Sequence, residues 1–230
     1  MVSGSRAGGT VMRKLCGVIL LLAIAVAMAT GTSVAEIWAQ DLGPVGIFEG
    51  HGDVGAVAAD YKGSVEYDAA KKSYLAAGSG ENMWGAADAF QFAWNKMSGD
   101  VEISAEITFS GEGKNPHRKA VVMVRQSLDA DSAYADVALH GVGLTSLQYR
   151  EEKGAITKEV QATISVPKRI RLVKKGAIFT MWVAGEDGKF VLAGTSPAIE
   201  LKGPFYVGIG VCSHEKDVVE KAVFEKVEIR

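Results

Sequence analysis

Cysteine is nearly absent: among 230 residues only Cys16 and Cys212 carry a thiol. Cys16 lies at the start of an apolar N-terminal run, so a chain processed beyond it keeps Cys212 alone and can form no intrachain disulfide. A single cysteine inside the apolar stretch YVGIGVCSH reads as buried packing rather than as a nucleophile. Excess basic charge is lacking too, with 25 Lys and Arg against 27 Asp and Glu, and nucleic acid is not an expected partner. No two of the four histidines, His51, His117, His140 and His214, have the local spacing of metal ligands. A zinc site would have to gather them from distant strands together with a carboxylate. Sustained 3.6-residue periodicity is missing as well: AADYKGS at 58–64 is too short and runs into glycine. Neither an internal repeat nor a linker interrupts the chain, which makes one domain the economical reading.

The one long hydrophobic run is N-terminal. Arg13 and Lys14 precede LCGVILLLAIAVAMA, Leu15–Ala29, a run of 15 uncharged residues followed by small ones, the pattern of a secretory signal. The run is shorter than the ~20 residues that span a bilayer, so no membrane association is expected after cleavage. Ser33-Val34-Ala35 supplies the small residues of a cleavage site, with Ala27-Met28-Ala29 competing. The expected division is a signal peptide over 1–35, a leader over 36–49 and a folded domain over 50–230, exported to the periplasm or secreted. Residues 1–35 hold three bases and no acid, leaving 22 bases against 27 acids and a formal charge of −5.

What is abundant is alternation. Val65–Asp68 and Ser73–Ala77 flank AAKK as a hairpin would. In AADAFQFAWNK, Phe90, Phe92 and Trp94 share one parity and Gln91, Ala93 and Asn95 the other, which predicts a half-buried strand giving an aromatic layer to the core. Val101, Ile103, Ala105, Ile107 and Phe109 alternate with polar residues in the next strand. Lys119–Arg150 reads as three antiparallel strands, and Phe179–Val183 pairs with Phe190–Ala193 across Asp187-Gly188. Pro204–Ser213 and Ala222–Ile229 complete about twelve short strands with no convincing helix, the spacing of an all-β sandwich or jelly roll.

Three segments, ENMWGAADAFQFAWNKMSGDVEISAEI, KAVVMVRQSLDADSAYADVALHGVGLTSLQYRE and PFYVGIGVCSHEKDVVEKAVFEKVEI, together resemble an exported bacterial domain of the concanavalin A-like lectin/glucanase superfamily. The group concerned is related to "regulation of enolase" type domains and is found with TolB-like propellers. The resemblance spans residues 50–230 and implies a two-sheet antiparallel jelly roll with a concave face. Because the superfamily holds lectins, glycosidases and domains without activity, it implies no single function.

Three constellations are candidates for chemistry. Glu215, Asp217 and Glu220 match the E-x-D-x-x-E spacing of retaining β-glucanases, whose two working carboxyls sit ~5 Å apart. Lys216 at a normally apolar position and the location near the C-terminus favour a solvated charged turn instead. Asp129, Asp131 and Asp136 offer oxygens for calcium as a weak alternative, but an ordinary hairpin connection is the better reading and no cofactor is expected.

Parity supplies the third. Met123, Arg125 and Ser127 share a face with Tyr134, Asp136, Ala138 and His140 and with Ser146, Gln148 and Arg150. That face is expected to be polar and wet, either as a binding surface or as a hydrated sheet joined by an Arg125–Asp136 ion pair. Gly208, Gly210, Cys212 and His214 are expected to leave space on it, and Trp84 to serve as an aromatic platform. The expectation is a non-catalytic exported module binding carbohydrate, or another polar envelope ligand, at Trp84, Arg125, Asp136, His140, Gln148, Arg150 and His214. The alternatives are a glycoside hydrolase-like enzyme and a domain that docks with an exported protein partner.

Overall fold

The computed structural model describes residues 41–230; the expected signal peptide and most of its flanking cleavage region lie outside them. Two seven-stranded sheets dominate, and every pairing is antiparallel. The first runs in the order β1 (Gly50–Val54), β6 (Phe90–Met97), β15 (Phe205–Cys212), β8 (Lys119–Arg125), β9 (Tyr134–His140), β10 (Thr145–Arg150), β11 (Lys158–Gln161). The second runs β14 (Phe190–Thr195), β13 (Ile178–Ala184), β12 (Arg169–Lys175), β7 (Val101–Ser110), β16 (Glu215–Ile229), β3 (Ser73–Gly80), β2 (Ser64–Asp68). A small hairpin, β4 (Met83–Trp84) with β5 (Ala87–Asp88), completes the set, and a single 3-10 turn at Ala59–Tyr61 is the only helical element among the described residues. The strand count exceeds the expected twelve because Gly50–Val54 and the two-residue strands are too short to alternate visibly. Phe48, in the stretch expected to be a leader, packs into the core at 1% exposure.

The core between the sheets follows from period-two alternation. Val122, Val124, Ala135, Val137, Leu147 and Tyr149 from the first sheet meet Ile103, Leu172, Phe179, Met181 and Phe224 from the second. The opposite face of the first sheet departs from expectation. It carries a second apolar cluster of Val54, Met83, Phe90, Phe92, Trp94, Val121, Met123, Tyr134, Ala138 and Cys212. Every residue of β8, β9 and β10 is therefore buried, on both parities.

Two expectations are corrected here. Phe90, Phe92 and Trp94 share a face, but it is this outer one, while Ala93 points into the inter-sheet core. Nor do Gly208 and Gly210 leave room for a ligand. A Cβ on Gly210 would stand 2.9 Å from the Phe90 ring, and one on Gly208 would collide with the Ala93 carbonyl. The glycines let the aromatic layer of β6 and the backbone of β15 come close.

Candidate functional site

The expected wet patch is the buried foundation of the outer face. Arg125, Asp136 and Arg150 are fully buried, and Gln148 and His140 nearly so. Both guanidinium groups converge on Asp88 of the β4–β5 hairpin: Arg150 donates through Nη2 and Nη1 to its two oxygens at 2.7 and 3.0 Å, and Arg125 Nη2 lies 3.3 Å away. Arg150 also donates to the carbonyls of Ser132 (2.9 Å) and Ala155 (3.0 Å), and Arg125 to those of Ser127 (2.7 Å) and Asp129 (2.6 Å). Two forked cations thereby fasten the hairpin and two loops to the sheet, saturating donors that burial would otherwise strand. The anticipated Arg125–Asp136 pair is replaced by these bonds. Asp136, opposite Met123 on β8 and Gln148 on β10, has neither carboxyl oxygen hydrogen-bonded. Burial pushes its carboxyl well above the usual carboxylate range, while the nearby Lys119 charge pulls the other way.

Beside this covered region the sheet face opens into a cleft of about 300 Å³. Trp84, 36% exposed, stands on one side of it, and Lys119 lies below at 3% exposure with its ammonium 5.5 Å from the indole ring. Lys119 Nζ donates to Asn82 Oδ1 (2.9 Å) and to the Met83 carbonyl (3.1 Å). His140 and Gln148 form a polar wall: His140 Nδ1 is 3.1 Å from the Leu144 carbonyl, to which it donates, leaving Nε2 as an acceptor 3.5 Å from Gln148 Nε2. Burial, reinforced by the Lys119 charge, lowers the His140 imidazole to about 4 and keeps it neutral. Gln148 Oε1 is buried without a hydrogen-bond partner.

His117 and His214 close the mouth. The His117 ring lies 6.2 Å from His140 and 5.8 Å from His214. Strand register explains the gathering: Lys119 pairs with His140 across β8 and β9, and with Cys212 across β8 and β15, so residues 117, 140 and 214 reach one end of the sheet together. His214 adopts φ 64°, a left-handed conformation unusual for a residue with a Cβ, in the turn that links β15 to β16. Even so, among the described residues no group of three His, Cys, Asp or Glu side chains is placed to hold a metal ion.

Of the expected site residues, Trp84, His140, Gln148 and His214 line this cleft; Arg125, Asp136 and Arg150 do not. Asn82, His117, Lys119, Leu144, Glu159 and Gln161 complete the lining and were not among the expected site residues. Lys119 had a legible signal: it shares parity with Val121 and Met123 on the strand already assigned to this face.

The carboxylate motif takes another form than expected. Glu215 to Glu220 open strand β16, where the register shifts, instead of forming a loop. Glu220 is buried, accepting from Arg118 Nη1 at 2.7 Å and from the Lys114 amide at 2.8 Å. Glu215 accepts from Asn115 Nδ2 at 2.8 Å, and Asp217 is exposed. Glu220 is thus tied to Arg118, while Glu215 and Asp217 line one shallow depression together with Glu81. The calcium set is not assembled either: Asp129 and Asp131 share Lys153, at 2.8 and 3.6 Å, while Asp136 lies buried in the sheet.

No protein-family model and no curated protein sequence matches the chain. Solved structures do. A functionally unknown protein from Saccharomyces cerevisiae aligns with a TM-score of 0.56 at 13% identity, over 73% of this chain and 91% of that one. A GH43 protein from Bacillus licheniformis aligns with a TM-score of 0.51 at 12% identity, over 69% of this chain and 32% of that one. A carbohydrate-binding module, CBM66, from Bacillus subtilis aligns at 0.49 and 18% identity, over 82% of this chain and 99% of that one. The chain has a two-sheet antiparallel jelly-roll sandwich fold, and the first two of these structures, above a TM-score of 0.5, are similar to it in fold.

Proposed function

We infer that the chain is an exported, non-catalytic carbohydrate-binding module of the concanavalin A-like superfamily, on the branch of the "regulation of enolase" type domains. The observation that carries this reading is the half-exposed Trp84 beside a cleft whose polar groups are fixed before any ligand arrives. A pyranose ring presents an apolar face that stacks on an indole, and hydroxyls that need donors and acceptors at set positions. Lys119, His140 and Gln148 are the polar groups of the lining that supply these. Pre-fixed groups reduce the ordering cost of binding. Hydrolysis is disfavoured because Glu220, the last carboxylate of the tempting motif, is tied to Arg118.

A glycan array probed with the mature chain tests the reading. At least one class of glycan is expected to bind, and Trp84→Ala is expected to weaken it about tenfold or more, the scale of one stacked ring, with unchanged thermal stability. Binding that survives Trp84→Ala undiminished would remove the cleft from the account.

A further inference from the structure

We propose that the glycan this cleft takes is acidic, a sugar chain bearing a ring carboxylate or a sulfate ester, with its oxyanion received by Lys119 Nζ beside Trp84. The inference rests on the carbohydrate reading and adds the charge of the ligand to it.

Lys119 is the reason. It lies at 3% exposure, yet both of its hydrogen-bond acceptors, Asn82 Oδ1 and the Met83 carbonyl, are neutral. Among the described residues no carboxylate oxygen lies within 4 Å of its ammonium, although a dozen ion pairs form elsewhere in the domain. An ammonium has three protons to donate, so one remains for a ligand.

The ground beneath the cleft adds to this field. Arg125 and Arg150 share the single carboxylate of Asp88, and Asp136, the other acid in the layer, has no hydrogen-bonded oxygen and is pushed well above the usual carboxylate range by burial. Three buried cations, Lys119, Arg125 and Arg150, thus share the layer with two buried acids, of which only Asp88 makes an ion pair. Burial lowers both His140 and His214 in the lining, and the Lys119 charge adds in the same direction. The opposing charge within the lining is Glu159, half-buried on β11 with Oε1 accepting from Gln161 at 2.7 Å. The adjoining depression holds Glu81, paired with Lys216 at 3.0 Å, Glu215, held by Asn115, and the exposed Asp217. A neutral hydroxyl would use the spare Lys119 proton and leave the ammonium, whose pKa burial lowers, without an ion-pair partner. An oxyanion answers both, through a shorter and stronger charge-assisted bond.

The experiment compares matched oligosaccharides on the full mature chain by titration calorimetry. Oligogalacturonate and oligoglucuronate are each set against their carboxyl-reduced counterparts, and a sulfated galactan against its desulfated form. At least one acidic chain is expected to bind about tenfold tighter than its neutral match, with an advantage that shrinks as salt is raised. Which pair shows it separates carboxylate from sulfate. Lys119→Met is expected to abolish the advantage and Lys119→Arg to keep it, while Trp84→Ala weakens acidic and neutral chains alike. Equal affinity within every pair would overturn the acidic ligand and leave the carbohydrate reading standing; no binding in any pair, alongside a blank glycan array, would remove both. Should Lys119→Met fail to fold, the matched pairs on the native chain decide the matter.

Discussion

Single side chains in the outer face are held by arrangements with distinct energetic signatures. Asp88 neutralises two buried guanidinium groups at once. Removing a partner from a buried ion pair leaves an uncompensated charge and costs about 3–5 kcal/mol. Asp88→Asn should therefore lower the unfolding free energy in urea by about that amount, and a loss below about 1 kcal/mol would contradict the network.

His140 provides a proton-linked signature. Its folded value of about 4 lies below the unfolded value near 6.5. Stability from the neutral ring is fully present above pH ~6.5 and is lost as pH falls towards ~4, up to about 3 kcal/mol over that window. Stability of His140→Gln measured across the same range should lack this slope. Asp136 has the opposite sign, because its folded value is raised. Its contribution is fully present below the unfolded value near 3.9, declines as pH rises through the raised one, and is removed by Asp136→Asn.

At the scale of elements, the approach of β15 to β6 depends on two glycines that differ in what stands against them. A Cβ on Gly210 meets the buried Phe90 ring at 2.9 Å and the Gln91 carbonyl at 3.0 Å, contacts that small shifts relieve. One on Gly208 meets the Ala93 backbone carbonyl, which cannot move without shifting β6. Overpacking typically costs about 1–3 kcal/mol and more where backbone must give. Gly208→Ala should accordingly be the costlier of the two in thermal denaturation; equal losses would mean that β6 yields as a whole.

Strand β16 holds the loop over 111–118 through Glu220, which accepts from Arg118 and from the Lys114 amide. The loop in turn carries His117 to the mouth of the cleft. Glu220→Gln should speed hydrogen exchange at the Lys114 amide and weaken ligand binding without removing any group from the lining. Unchanged exchange there would show that the loop is held by other contacts.

For the molecule as a whole, the first sheet packs on both faces, against the second sheet and beneath the β4–β5 hairpin. Sharing one sheet couples the two apolar clusters. Phe92→Ala in the outer cluster and Leu172→Ala in the inner one should each lower a single cooperative transition by about 2–5 kcal/mol, and a separate early transition for the outer cluster alone would argue against that coupling. The sequence by itself determined the all-β class, most strand positions and which side chains share a face, because a period of two is a local property of the backbone. The Ser64–Asp68 and Ser73–Gly80 hairpin and the three strands from Lys119 to Arg150 were legible on that ground. Only the tertiary structure decided which face meets water. Alternation placed Arg125, Asp136 and Arg150 together but could not reveal that Asp88, far away in the chain, folds over them and makes a polar row into a buried network. The sequence set Trp84, His140, Gln148 and His214 in one expected site, but it could not add His117 and Lys119 to them, because that depends on the register of β8 with β9 and β15, which long-range pairing fixes.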